Sequence, residues 1–434
     1  MNAAAIRPVD RAGQTQSTAD LFLIFVGANI VATTFQVGAS LVPSFSLRTA
    51  IVLIAAGSVA GSALVAALAA LGPRLRVPSV IAARPALGIT GAGLVAVVLY
   101  VSNFAWIAIN NLIAGSACAR AAATWLGPAL SKVEGPAAAS PTAWAIALGI
   151  AATFIVWRGP RAVARADRVA VPLMLAVGVA LTVACIGAVR ASGAAQPSPT
   201  GGLTWWRGLD IVIGYQVSWI LMFADYSRYT RSARGSAVAV FVGLAATSVW
   251  MMPLGAIAAQ AAGSSDPGAM LEHVGLGAAG AVLLALATLT TNFVNIYMSS
   301  LAWKSLMPRA HDGSVVWSIG LVGTALGAVP GVWLEQYTNF MVILGALLIP
   351  VGGILIAHYY LRQVVVDEAF VAELYDASGP FRGVLLPGMA AWTAGAAAYF
   401  LAGSAGGTIP AFAVSVLVYW VGSRFFDSRH HLSL

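Results

Sequence analysis

The feature that most constrains this chain is a succession of hydrophobic runs about 20 residues long, separated by short polar loops. A helix rises about 1.5 Å per residue, so such a run crosses the roughly 30 Å hydrocarbon core of a bilayer. Twelve runs are read, at residues 21–43, 49–72, 89–118, 142–157, 163–189, 209–224, 236–262, 275–301, 314–334, 338–361, 383–402 and 408–426. Charged residues make up 9% of the chain, against about 25% in a soluble domain. The sequence therefore predicts an all-α polytopic membrane protein with twelve transmembrane helices. A soluble enzyme is excluded.

Orientation follows from the basic residues, which concentrate on the cytoplasmic side of membrane helices. With the N-terminus inside, only Arg48, Arg120, Lys132, Arg190 and Arg207 of the 23 Lys and Arg fall on outer segments. Both termini are thus expected in the cytoplasm, with residues 1–20 and 427–434 as tails, in a bacterial-type inner membrane. The net charge of +8 is spread over inner loops. It suits insertion and contact with the lipid bilayer rather than nucleic acid. No apolar core of a cleavable signal is visible in the first 20 residues. Nothing in the residues bears on oligomeric state.

The eighth run carries Thr288, Thr290, Thr291, Asn292, Asn295 and Ser299 and no charge between Gly275 and Leu301. At 100° per residue, Thr288, Thr291, Asn292, Asn295 and Ser299 fall within an arc of about 100°. Neutral oxygens at membrane depth suit a weakly held monovalent cation or a polar uncharged solute. Hydrogen bonding between helices is the competing reading. The first run holds Gly27-Ala28-Asn29 and then Gln36-Val37-Gly38; the sixth holds Gly214-Tyr215-Gln216. Glycine beside an amide suggests a helix that unwinds, which is tolerated at depth only inside protein or along a cavity. Two such breaks five spans apart match an inverted-repeat carrier. Residues 21–189 and 209–361 would be the two five-helix repeats, with 383–426 as two further helices. Close packing at the glycines is the alternative.

The third run contains Tyr100, Asn103, Trp106, Asn110 and Asn111. Trp106 and Asn110 are one turn apart and share a face. A mid-membrane indole beside an amide suits a flat heterocycle, with one face to stack on and a group that both donates and accepts. Ordinary packing and an interhelical bond would also account for them. An enzyme would need a nucleophile–base pair, a metal cluster or paired carboxylates at depth. Cys118 and Cys185 have no histidine nearby in sequence, the five histidines form no ligand pair, and the acidic residues at span ends (Asp167, Asp210, Asp225, Glu335) leave mid-membrane empty of carboxylates. No cofactor is expected. A channel is disfavoured because no segment looks like a pore filter.

Four stretches resemble the nucleobase–cation symporter family that includes cytosine permeases and the benzyl-hydantoin transporter. They are Ala83-Arg84-Pro85-Ala86-Leu87-Gly88 after the second run, Ala224-Asp225-Tyr226-Ser227-Arg228-Tyr229, Thr290-Thr291-Asn292 with Asn295, and Pro350-Val351-Gly352-Gly353 through His358-Tyr359. The resemblance implies a LeuT-like fold of 5+5 inverted repeats plus two C-terminal helices. It implies secondary active import of a nucleobase or related small heterocycle by cation symport through alternating access. Trp106 would stack on the base, with Asn29, Asn110, Gln216, Asn292 and Asn295 as hydrogen-bonding partners. The family's second stacking aromatic falls on Gln216, a departure that Tyr215 or Trp219 would repair. A coupling sodium ion would sit on Val26, Asn29, Ala287, Thr290 and Thr291, with a proton as the alternative coupling ion. His358 stands where the family has aspartate, and is expected to affect gating or nothing.

Overall fold

The structure is a computed structural model that describes residues 6–130, 140–192, 201–329 and 336–430. Lys132 and Glu335, and the outermost residues of both expected tails, lie outside the described residues. The described chain is helical almost throughout. In order, the helices are α1 (Thr18–Asn29), α2 (Ala32–Leu41), α3 (Leu47–Ala69), α4 (Gly72–Leu75), α5 (Ser79–Ala82) and α6 (Arg84–Leu130). They continue with α7 (Pro141–Trp157), α8 (Pro160–Ser192), α9 (Trp205–Val217), α10 (Phe223–Ser227), α11 (Ala233–Ala262) and α12 (Pro267–His273). The last are α13 (Gly277–Leu306), α14 (Asp312–Gly327), α15 (Tyr337–Ile356), α16 (Glu368–Glu373), α17 (Leu386–Ala402) and α18 (Thr408–His430).

Among the described residues, 8 helices are long and apolar enough to cross a membrane, and the pair α1 and α2, bent by 57°, forms a broken span. The remaining expected spans, 142–157, 314–334 and 383–402, correspond to α7, α14 and α17, of 17, 16 and 17 residues. Each is shorter than the roughly 20 residues a full crossing needs.

The interruption of the first span is local and sharp. Ser17 caps α1 in a box with Asp20. The helix then ends at Asn29, and Val31 is fully extended (φ −137°, ψ 163°) before α2 begins. The sixth span breaks after Val217, passes through a single turn of 3-10 helix at Ile220–Met222, and resumes as α10. The glycines themselves are contact points. A Cβ on Gly38 would lie 1.7 Å from the Met252 carbonyl of α11, and one on Gly214 would lie 2.6 Å from the Met341 carbonyl of α15. The polar residues thus flag the right spans, while the glycines serve packing and the breaks fall just beyond.

Two helix groups result. The broken helices α1/α2 and α9/α10 pack with α3 and α11, and α6, α7, α13 and α14 pack with one another. The helix α8 touches both α11 and α13. Gly88 interrupts α6 after one turn at φ 83°. There the Ile89 and Thr90 amides donate to the Phe381 and Gly383 carbonyls. A side chain would strike the Gly383 carbonyl at 2.4 Å, which is why this position of the motif is glycine.

The segment Ile6–Gln16 is laid across the helix ends at one face of the molecule. Gln14 Nε2 donates toward the carbonyls of Pro73 (3.0 Å), Arg228 (3.3 Å) and Thr230 (2.8 Å). Arg231 Nε donates back to the Gln14 carbonyl at 3.0 Å. The Val9 amide donates to the Arg76 carbonyl, and Tyr375 donates to the Ile6 carbonyl at 2.6 Å.

Candidate functional site

Trp106 sits on α6 where the two helix groups meet, 7% exposed. Two rings flank it edge-to-face: Tyr215 of α9 at 5.8 Å and Phe340 of α15 at 5.1 Å. The structure therefore brings the Tyr215 ring to Trp106. Trp219 pairs instead with Phe25 of α1 at 5.6 Å. Phe340 escaped the sequence reading because an aromatic inside an apolar run carries no signal of its own.

One turn along α6 from Trp106, four amides gather between α6 and α13. Asn292 Nδ2 donates to Asn111 Oδ1 at 2.8 Å, Asn110 Nδ2 approaches Asn292 Oδ1 at 3.4 Å, and Asn295 Nδ2 approaches the same oxygen at 3.5 Å. Thr288 donates to the Asn110 carbonyl at 3.0 Å. Asn110 Oδ1 and Asn111 Nδ2 have no partner among the described residues. Such atoms cost about 1–3 kcal/mol each when left unpaired, so an acceptor and a donor stand ready here for a polar ligand. Among the described residues no group of His, Cys, Asp or Glu could hold a metal ion.

The residues expected to hold the cation lie where α1 approaches α13. The Val26 carbonyl accepts from the Ile30 amide at 3.1 Å and the Asn29 carbonyl accepts from Thr34 Oγ1 at 2.5 Å. Thr290 donates to the Ala287 carbonyl at 3.1 Å. Thr291 is 7% exposed and its hydroxyl has no partner among the described residues. These oxygens are carbonyls and hydroxyls with no carboxylate among them, the kind of ligand that a singly charged hard cation takes.

The side-chain NH2 groups of Asn29 and Gln216 are held by α11, and their oxygens have no partner among the described residues. Asn29 Nδ2 reaches Leu244 O (3.2 Å), Thr247 Oγ1 (2.7 Å) and Ser248 Oγ (2.8 Å) on α11. Gln216 Nε2 reaches the same Ser248 Oγ at 2.7 Å. The other motif residues are structural fasteners. Asp225 accepts from Ser79 at 2.6 Å, and Ser79 accepts from the Ala224 amide at 2.8 Å. The Arg228 guanidinium lies 4.8 Å over the Tyr229 ring. Asp210, at the opposite end of the span, caps α18 through the Gly407 and Thr408 amides at 2.7 and 3.0 Å. His358 sits in a single π turn and bonds Tyr419 of α18 at 2.7 Å.

A helical membrane fold with two interrupted spans, and an uncharged aromatic-and-amide cluster between two helix groups, is the build of a permease rather than of an enzyme. The chain belongs to the family described as permeases for cytosine/purines, uracil, thiamine and allantoin, which matches residues 8–422. Cytosine permease of Escherichia coli (strain K12) is 26% identical over 254 residues, covering 56% of this chain and 59% of that protein. The putative purine-cytosine permease YxlA of Bacillus subtilis (strain 168) is 22% identical over 384 residues, covering 83% and 79%. Among solved structures, the nucleobase-cation-symport-1 transporter Mhp1, closed around bromovinylhydantoin, superposes with a TM-score of 0.82 at 18% identity over 98% of this chain and 96% of that one. The inward-facing conformation of Mhp1 gives 0.82 at 19% identity over 99% and 94%. At such identities the likeness establishes the fold.

Proposed function

We propose that the protein imports a nucleobase or related small heterocycle by cation symport, with sodium as the coupling ion. The reading takes the full architecture to be twelve spans in two inverted five-helix repeats plus two helices, both termini cytoplasmic. The observation that carries it is the neutral cluster itself: a buried indole at the meeting of two helix groups, with Asn110, Asn292 and Asn295 gathered a turn further on. A flat, uncharged ring with donors and acceptors on its edge is the ligand class such a surface suits.

Trp106 stacks on the ring, with Tyr215 closing from the sixth span. Asn110, Asn292 and Asn295 read its edge. Asn29 and Gln216 have their NH2 groups committed to α11, so any ligand they touch must donate to their oxygens. The carbonyls of Val26, Asn29 and Ala287 and the hydroxyls of Thr290 and Thr291 hold the sodium, joining the broken first span to α13. Ion and base each favour the same closed state, which is all that coupling requires. The absence of a mid-membrane carboxylate favours sodium over a proton-coupled version.

The test is a thermal-shift and binding screen of cytosine, uracil, purines and hydantoins with sodium or choline as the cation. At least one base is expected to bind, more tightly in sodium. Trp106→Ala should weaken every hit by a hundredfold or more, from the loss of about 3 kcal/mol of burial and stacking. Unchanged affinity in that variant overturns the pocket.

A further inference from the structure

The two helix breaks are joined to each other by a hydroxyl that the functional reading leaves unused. Thr34, in the first turns of α2, donates its only hydroxyl proton to the Asn29 carbonyl at 2.5 Å, since a carbonyl can only accept. The same oxygen lies 2.6 Å from the Tyr215 hydroxyl. With the Thr34 proton already committed, Tyr215 must be the donor. The chain runs in one direction, from the Tyr215 hydroxyl through Thr34 to the Asn29 carbonyl. Tyr215 is also the ring set against Trp106, and Asn29 is the last residue of α1. Thr34 is 0% exposed, so water does not compete for these bonds.

On the other side of the same breaks, Ser248 of α11 accepts from both Asn29 Nδ2 and Gln216 Nε2. The direction of the Asn29 amide is fixed by chemistry. The Leu244 carbonyl only accepts, and Thr247 gives its own proton to the Gly243 carbonyl at 2.5 Å. The end of α1 is therefore clasped to the end of α9 on two sides.

We propose that Thr34 is a positioning residue that couples the cation to the ligand. This rests on the reading that the Asn29 carbonyl ligates the ion and that Tyr215 packs against the base. A cation that takes the Asn29 carbonyl competes with the Thr34 hydroxyl for it. Thr34 then turns, and Tyr215 loses that bond, keeps only the neighbouring Thr33 side chain, and settles on a ring stacked at Trp106. Ligand binding, by drawing the Tyr215 proton off Thr34, removes the polarisation that strengthens the Thr34–Asn29 bond and so eases its exchange for the ion. The coupling is reciprocal, as linkage requires.

The experiment compares wild type with Thr34→Val, which keeps the shape and loses the hydroxyl, Thr34→Ser, which keeps the hydroxyl, Tyr215→Phe, and the Val/Phe double variant. The quantity read is the factor by which sodium tightens binding of the best nucleobase. Thr34→Val and Tyr215→Phe should each cut that factor by about tenfold, the double variant should cut it no further, and Thr34→Ser should restore it. Full coupling in Thr34→Val, or additive losses in the double variant, overturns the proposal. So does a wild type that binds a base equally with and without sodium. Hydrogen exchange at residues 28–34 and 214–222 gives a readout that needs no ligand. Thr34→Val should speed exchange at both breaks together, and acceleration at the first alone overturns the clasp. If the wild type binds no nucleobase but Thr34→Val still speeds exchange at both breaks, the clasp is retained and the transport reading is rejected.

Discussion

At the scale of single residues, Thr291 makes the sharpest statement. Its hydroxyl is buried without a partner among the described residues, and removing such a group relieves a desolvation cost of about 1–3 kcal/mol. Thr291→Val is therefore expected to raise the melting temperature in choline chloride while abolishing the extra stabilisation given by sodium. A stability loss in choline, or an undiminished sodium effect, would show that the hydroxyl has another role. The Thr-Thr-Asn stretch was legible because uncharged polar residues are expensive at membrane depth and so stand out. The directions of Asn29 and Gln216 were not. A helix break fixes where an amide starts but not which neighbour it turns to, and the hydroxyls of Thr247 and Ser248 that claim them lie on a helix far away in sequence. The pairing of Tyr215 with Trp106 was hard to read for a related reason: the helix ends at Val217, and the periodicity that would order its neighbours stops there.

At the scale of elements, the crossing of α2 and α11 is the tightest seam. Gly38 meets the Met252 carbonyl and Gly255 meets the Phe35 carbonyl, where added Cβ atoms would lie at 1.7 and 1.9 Å. Backbones this close cannot yield by rotating a side chain, so the helices must separate. Gly38→Ala should lower the detergent melting temperature by many degrees or abolish a monodisperse peak on size exclusion. Gly187→Ala, on α8 with nothing within 4 Å of an added Cβ, should leave both unchanged or slightly improved. Equal behaviour of the two would show that the seam has slack. The sequence singled out Gly38 but could not say what it does. Spacing alone does not distinguish a glycine that lets a helix unwind from one that lets another helix approach.

At the scale of the whole molecule, the segment Ile6–Gln16 binds helix ends that belong to distant parts of the chain. Gln14 fixes the segment to the Pro73 and Thr230 carbonyls, after α3 and α10, while Ile6 takes the Tyr375 hydroxyl; these bonds must part or move together when that face opens. Losing one amide with several carbonyl contacts is worth about 1–2 kcal/mol. Gln14→Ala should thus raise the population open on this face by roughly tenfold. A cysteine placed at Tyr297, whose ring lies 6.2 Å from that of Tyr226, should react correspondingly faster with a thiol reagent. An unchanged labelling rate would show that the segment is a passenger. The hydrophobic runs were plain in the sequence because a bilayer sets the length that a crossing needs. The strap was read as a tail because its contacts are carbonyls, which every residue has. The strap also decides how the protein can be handled at the bench. An affinity handle or fluorescent fusion upstream of Ile6 would hang its load on the segment that holds this face together. Preparations tagged beyond α18 are the ones whose kinetics will describe the unburdened protein.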